Sequence, residues 1–348
     1  MLEAESTKRV VTMILVITFM ATNPLSRLVL PSQPFLLNSI CKWMRIVNNC
    51  KMFCIPFRTV LTTTGVRRTI LTIYRGYNIK DFVQGVVMKI FNVNAFSSRP
   101  FSGNPAGVCI LPHPKVDAWM QNVAAEMNLS ETAFVIRSAD GYNLRWFTPK
   151  VEVDLCGHGT LASAHVLWQE GLARAGEKIT FHTRSGTLTC TQEGDWIGLD
   201  FPSTPDEEVT APYGLTEALG VSAIYVGASR SDYIVEVASE ETVRSLTPDF
   251  ALILRLPVRG VIVTSLATRE GFDFVSRFFA PAVGVNEDPV TGSSHCCLGP
   301  FWGKRLGKND LVACQISQRG GVVRVHLAGD RVHLFGQAVT VMKGEFVG

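Results

Sequence analysis

The residues best placed to do chemistry stand in the stretch Gly284-Val285-Asn286-Glu287-Asp288-Pro289-Val290-Thr291-Gly292-Ser293-Ser294-His295. A carboxylate, a glycine and two hydroxyls directly precede an apolar run, Cys296-Cys297-Leu298-Gly299-Pro300-Phe301-Trp302. This is the pattern of a helix N-terminus that can hold an anion, because the first N–H groups of a helix lack intrahelical partners and form its positive end. The same design occurs earlier, where Asp154-Leu155-Cys156-Gly157-His158-Gly159-Thr160 leads into Leu161-Ala162-Ser163-Ala164-His165-Val166-Leu167-Trp168. Two acid-plus-glycine turns, each feeding a buried-type helix, imply a duplicated fold with one site between its halves.

Each side chain in this set admits a chemical and a plain structural role. Glu131 adjoins the apolar strand Thr132–Arg137, where a carboxylate facing a semi-dry cleft could take up and return a proton; it could equally be a turn carboxylate after a helix. His158 stands at a helix start, which favours neutral imidazole and lets it donate or accept a proton; capping is the alternative. Asp288 precedes Pro289, which keeps its backbone extended and frees the carboxylate to accept a hydrogen bond from substrate or from His158. Gly292 permits close backbone approach. Asp288 and Ser293 could also serve as helix caps.

The surrounding pattern is α+β with many short strands. Strands are expected at 88–96, 107–111, 132–137, 143–147, 179–183, 187–191, 196–201, 223–227, 233–237, 260–264, 273–279, 322–326 and 332–335. Helices are expected at 116–127, 159–171, 240–245, 248–254 and 293–306. The polar, proline-rich stretch from Pro202 to Pro212 reads as a linker, and each flank carries one acid–glycine–helix unit. The helices at 159–171 and 293–306 are apolar on nearly every face, so each must be wrapped, as by a curved sheet.

Composition narrows the partners. An apolar fraction of 47% and a charged fraction of 18% over 348 residues describe a globular chain with room for two domains. The net charge of +3 conceals an asymmetry: residues 1–87 hold 11 Lys+Arg against 3 Asp+Glu, and residues 88–348 hold 22 against 27. The mildly acidic body lacks a basic stripe, which argues against nucleic acid, and an acidic substrate would need a locally positive site. The nine cysteines are scattered without CxxC spacing, so reduced thiols in a cytoplasmic setting are expected, with no structural zinc site. His158, His165 and His295 lack metal-ligand spacing, and no GxGxxG turn or phosphate loop is present, so neither a metal nor a nucleotide cofactor is expected.

Residues 1–87 form a separate problem. The apolar run from Val10 to Ala21 is too short to span a bilayer comfortably and has the length of a signal-peptide core, though Glu3 and Glu5 spoil the basic start. The arginines beyond it suit an organelle transit segment and a mitochondrial address. A third reading is an extension with no selected structure, with Met88 as the natural start. Weak order is expected before Met88, and no membrane contact for 88–348.

Seven segments now converge. Asn128-Leu129-Ser130-Glu131-Thr132-Ala133-Phe134, Phe147-Thr148-Pro149, Glu152-Val153-Asp154-Leu155-Cys156-Gly157-His158 and Glu287-Asp288-Pro289-Val290-Thr291-Gly292-Ser293 follow one another in order, with support from Phe101-Ser102-Gly103-Asn104-Pro105-Ala106-Gly107, Arg277-Phe278-Phe279-Ala280-Pro281 and Ser317-Gln318-Arg319-Gly320-Gly321. Together they resemble the phenazine-biosynthesis PhzF-like family of the diaminopimelate-epimerase-like superfamily, over roughly 88–348. The resemblance implies two pseudo-symmetric halves, each a curved, barrel-like, mostly antiparallel sheet around a central helix, spanning 88–203 and 204–335, with 336–348 crossing back to the first. It also implies a homodimer and a cofactor-independent isomerase acting on a small carboxylic acid. Glu131, His158, Asp288 and Ser293 match the family's catalytic positions. Asn104, Pro105, Gly157, Gly159, Thr160, Gly292 and Ser294 would then contact substrate. Gly159 departs from the alanine common in the family. Superfamily racemases use a facing cysteine pair; Cys156 matches one such position, but Asp288 and Ser293 occupy the other turn, which argues against two thiols. A member that only binds a metabolite or a protein partner is the remaining alternative.

Overall fold

The computed structural model describes residues 88–346, which belong to the compact unit Ile79–Gly348. The apolar and arginine-rich features noted in residues 1–87 lie outside the described residues. The first half runs β1 (Met88–Ala95), β2 (Asn104–Leu111), α1 (Asp117–Met127), β3 (Glu131–Arg137), β4 (Tyr142–Phe147), β5 (Glu152–Val153), α2 (Gly157–Gln169), β6 (Ile179–Thr183), β7 (Gly186–Glu193) and β8 (Trp196–Pro202). The second runs β9 (Glu207–Glu208), α3 (Leu215–Leu219), β10 (Tyr225–Ala228), β11 (Asp232–Glu236), α4 (Glu240–Ser245), α5 (Phe250–Ile253), β12 (Gly260–Leu266), β13 (Phe274–Ala280), β14 (Val285–Asp288), α6 (Gly292–Leu306), β15 (Asp310–Gln315), β16 (Gly321–Ala328), β17 (Arg331–Gly336) and β18 (Ala338–Phe346).

Strand pairing makes the duplication explicit. In the first half β1–β2 is antiparallel, β2–β3 parallel, β3–β4 antiparallel, β4–β6 parallel, and β6–β7–β8 antiparallel. The second half repeats that series strand for strand as β10–β11, β11–β12, β12–β13, β13–β15 and β15–β16–β17. The halves join where β8 pairs antiparallel with β17. The second half also sends a strand across, as β18 pairs with β1 from Met88↔Phe346 to Ala95↔Ala338, while β9 pairs with β10 inside its own half. The segment between Pro202 and Pro212 is therefore not a plain linker, since β9 sits in it as an edge strand.

The two apolar helices are wrapped as their composition demands. In α2 the residues His158 to Ala164 are all buried, and in α6 so are Ser294 to Gly299 and Phe301 to Gly303. They share one core with Phe91, Phe96, Trp146, Phe181, Phe274 and Trp302. Burying each such side chain contributes about 1.5–3 kcal/mol, which outweighs the modest helix propensity of a segment as glycine-rich as α6. Pro300 lies inside α6, where it cannot bond the carbonyl of Cys296. The backbone N–H of Thr204 takes that carbonyl at 3.0 Å, so the proline frees an acceptor that anchors the chain between the halves. Outer helices cover the far faces of the sheet: α1 packs Met120 and Val123 with Phe134 and Phe147, and α3 to α5 cover β10 to β13.

Candidate active site

The short strands β5 and β14 lead directly into α2 and α6, so both helix N-termini open at the junction of the halves. They nearly touch there: a Cβ built on Gly157 would lie 3.8 Å from the Cα of Gly292, and the reverse distance is the same. Beside them lies a cavity of about 410 Å³ whose wall includes Glu131, Cys156, Gly157, His158, Asp288, Gly292 and Ser293. All four expected catalytic side chains thus reach one cavity, from β3 and α2 of the first half and β14 and α6 of the second.

Glu131 is the first residue of β3, placed after Asn128 closes α1 in the left-handed conformation. Its Oε2 lies 3.1 Å from His158 Nε2, with the two side chains 19% and 8% exposed. Oε2 has no aligned hydrogen-bond partner, so the contact is a close ion pair rather than a directed bond. Burial alone would lower the pKa of His158, but Cys156 and the Glu131 carboxylate outweigh it and raise it well above its ordinary value. Burial, with Glu131 adding to it and His158 opposing it, pushes the Cys156 thiol up. The neutral imidazole expected from the helix N-terminus is therefore corrected: a carboxylate in contact overrides a dipole effect of about 0.3–1 kcal/mol.

Asn104 couples the halves. Its Nδ2 donates to Asp288 Oδ1 at 2.8 Å and to the Val290 carbonyl at 2.9 Å, and lies 3.3 Å from His158 Nδ1. An amide nitrogen has two hydrogens, so the two shorter contacts take them and His158 is held by packing against the same group. Asp288 is also held by the Thr291 hydroxyl, and Gln315 Nε2 donates to its backbone carbonyl at 2.7 Å. Its carboxyl group turns inward: burial pushes its pKa up, opposed by His158 and the Thr291 hydroxyl. Asp288 does not take a bond from His158; Asn104 stands between them.

Other expected contacts divide. Gly157 and Gly292 line the cavity, whereas Asn104, Pro105, Gly159, Thr160 and Ser294 are not on its wall. Thr160 donates to the Cys156 carbonyl and Ser294 to the Thr291 carbonyl, so both hydroxyls serve their own helix starts. Cys156 caps α2 by accepting from the Gly159 N–H at 3.3 Å. Thr291 caps α6 with its backbone alone, which leaves the first N–H groups of that helix available to a ligand. Gly159 is packed under Trp146, whose Cδ1 would lie 2.8 Å from an added Cβ.

Sequence reasoning missed four residues here. Gln315 and Thr291 fix Asp288, and Arg230 and Arg259 bring positive charge to the cavity wall of an otherwise acidic body. Arg259 is itself paired with Asp232, through Nε at 2.9 Å, whereas Arg230 is exposed on the β10–β11 turn. Cys296 also lines the cavity, one turn into α6, with its thiol directed at the Gly292 carbonyl and pushed up to about 12 by burial. Among the described residues, Glu131, Cys156 and His158 are the one group of three acid, thiol or imidazole donors close enough to hold an ion, with their ligand atoms within 4.8 Å of one another.

About three quarters of the chain recurs nearly end to end in known proteins. The profile of the family described as phenazine biosynthesis-like protein matches residues 93–344. The chain belongs to this family. An uncharacterised isomerase of Halalkalibacterium halodurans is 54% identical over 259 residues, which cover 74% of this chain and 98% of that protein. An uncharacterised isomerase of Pseudomonas aeruginosa is 51% identical over 257 residues, 74% of this chain and 97% of its own. The crystal structure of a PhzF-family phenazine biosynthesis protein from Enterococcus faecalis superposes with a TM-score of 0.72 at 42% identity, covering 75% of this chain and all of that one. The two-half, diaminopimelate-epimerase-like architecture is thus the architecture of the family. Among the described residues no helix is long and apolar enough to cross a membrane.

Proposed function

We propose that this phenazine biosynthesis-like protein is an isomerase that moves a proton between carbon atoms of a small carboxylic acid, using its own side chains. The observation that carries this reading is the Glu131–His158 pair, 3.1 Å apart, on the wall of a cavity that two helix N-termini also line. Glu131 takes a proton from carbon next to a carbonyl or unsaturated system, and the negative charge that develops is met by backbone N–H groups at Gly157, Gly292 and Ser293. Protonated His158, the Ser293 hydroxyl and Arg230 hold the substrate's oxygen atoms. Glu131 then returns the proton to a second carbon. The isomerase names of its relatives fit this chemistry.

A thiol-based epimerase is the second reading, since Cys156 and Cys296 both line the cavity. Burial raises the pKa of both thiols and opposes it. We also propose a homodimer, which sedimentation equilibrium tests directly. The test of activity is deuterium uptake from solvent into a panel of small cyclic and amino-acid-like carboxylates. Uptake at carbon by at least one compound is expected. Tight binding without any exchange would instead mark a protein that only binds its metabolite.

A further inference from the structure

A second cavity, of about 280 Å³, lies where the loop between β1 and β2 meets the turn between β15 and β16, and it shares no wall residue with the candidate active site. Four guanidinium groups stand on its wall, those of Arg99, Arg244, Arg269 and Arg319, and no carboxylate does. Among the described residues Glu240 is the one carboxylate in contact with any of them: it pairs with Arg244 and lies 3.9 Å from Arg269 Nε. Arg319 donates only to neutral acceptors, from Nε to the Gly103 carbonyl at 2.8 Å and from Nη2 to Asn94 Oδ1 at 3.1 Å and the Ser102 carbonyl at 3.3 Å. Its Nη1 has no partner among the described residues. Four positive charges thus meet one negative charge, in a body that is acidic as a whole. Like charges gathered in this way repel one another, and an anion between them relieves that cost.

The loop that carries Arg99 is strained and held. Phe96 and Phe101 bracket it with φ of 61° and 66°, left-handed values that a bulky side chain adopts rarely and at a cost. Both ends are pinned across the cavity: the Val322 N–H donates to the Phe96 carbonyl at 3.1 Å, and the Gly103 N–H to the Gly320 carbonyl at 2.7 Å. The Ser102 hydroxyl donates to the Arg99 carbonyl at 3.0 Å, and the Arg99 N–H to the Ser97 hydroxyl at 3.1 Å, so the turn that presents this guanidinium is fixed. Guanidinium forks recognise phosphate through paired, charge-assisted N–H···O bonds, and several around one ligand favour two negative charges over one. We propose that this cavity binds a phosphate-bearing small metabolite through Arg99, Arg269 and the free edge of Arg319. The occupant stands behind the turn that carries Asp288, because two residues of the same wall hold that turn. Gln315 Oε1 accepts from the Thr291 N–H at 2.9 Å, and the Ser317 hydroxyl donates to the Pro289 carbonyl at 2.7 Å. Binding therefore stiffens the turn from outside the candidate active site.

Calorimetric titration of the full chain with inorganic phosphate at pH 8, where the ligand carries about two charges, tests the site. One equivalent should bind, and acetate, with a single charge, should bind at least about tenfold more weakly. Arg99 and Arg269 are both exposed, so their alanine variants should keep the wild-type circular dichroism. Losing one charge-assisted contact changes affinity about tenfold or more, so Arg99→Ala and Arg269→Ala should each weaken phosphate binding by at least that factor. Arg230→Ala, at the candidate active site, should leave it unchanged. No binding at phosphate concentrations up to about 10 mM overturns the proposal, as does acetate that binds as tightly as phosphate. An affinity that falls in Arg230→Ala and holds in the other two variants overturns it as well, by moving the anion to the candidate active site. The stiffening has its own readout: exchange of the Thr291 amide hydrogen should slow at saturating phosphate in wild type. Phosphate binding that leaves that rate unchanged removes the stiffening and keeps the site. None of these readouts depends on the isomerase reading.

Discussion

Replacing Asn104 with alanine should show how tightly the two halves depend on one amide. The side chain is fully buried, and its two hydrogens go to a carboxylate oxygen of Asp288 and the carbonyl of Val290. A hydrogen bond to a charged group is worth about 1.5–3 kcal/mol and one between neutral groups about 0.5–1.5 kcal/mol, so their joint loss should cost about 2–4 kcal/mol. The sign of the pH dependence follows from Asp288. Its pKa is raised in the folded protein, so its carboxyl group disfavours folding as pH rises through that folded pKa, and the Asn104 bond holds the shift down. The deficit of Asn104→Ala relative to wild type should therefore be largest at neutral pH. It should shrink, without vanishing, as Asp288 becomes protonated on acidification. Urea denaturation of both proteins across pH measures this, and adding Asp288→Asn should recover about 1–2 kcal/mol of coupling, because no charge is then stranded. A loss below about 0.5 kcal/mol, or a deficit that grows on acidification, would refute the bridging role.

Three further outcomes follow from the same geometry. In histidine proton NMR, His158 should titrate well above the ordinary imidazole range and move down in Glu131→Gln; an unmoved titration would mean that Glu131 is not its counter-charge. His295, fully buried in α6 with its pKa lowered to about 4, should stay neutral through mild acid. Because the unfolded chain binds that proton more readily, His295 favours folding above the ordinary imidazole pKa and loses that contribution as pH falls toward about 4; in His295→Gln that part of the acid sensitivity should disappear. Gly159→Ala gains about 1 kcal/mol of helix propensity but drives a methyl against Trp146 and Cys156, an overpacking cost of about 1–3 kcal/mol. A net loss in thermal stability is expected, and a gain of the full propensity would show that Trp146 gives way freely.

Much of the fold was legible because its strands and core helices carry period. The helices expected at 159–171 and 293–306 are α2 and α6, displaced by two residues or fewer at either end. What escaped was structure set by partners rather than by pattern. β18 is mostly half-buried or exposed and lacks a clean alternation, and it exists because β1 offers it an edge. β5 and β14 are too short to show a period. At the site, the acid–glycine turns exposed Asp288, Gly292, Gly157 and His158, whose types announce chemistry. Gln315 and Arg259 gave no such signal, since each acts through a residue brought near only by the sheet. The charge state of His158 was misjudged for the same reason: Glu131 is distant in the chain and adjacent in space.

The central claim is that Glu131 moves the proton, and the most direct test is the rate of solvent deuterium uptake into a reactive carboxylate by wild type, Glu131→Gln and Cys156→Ala. A positioned acid–base group contributes about 10²–10⁴-fold, so exchange should fall by that factor in Glu131→Gln and persist in Cys156→Ala. Exchange that survives in Glu131→Gln and disappears in Cys156→Ala would contradict the account and give the proton to the thiol.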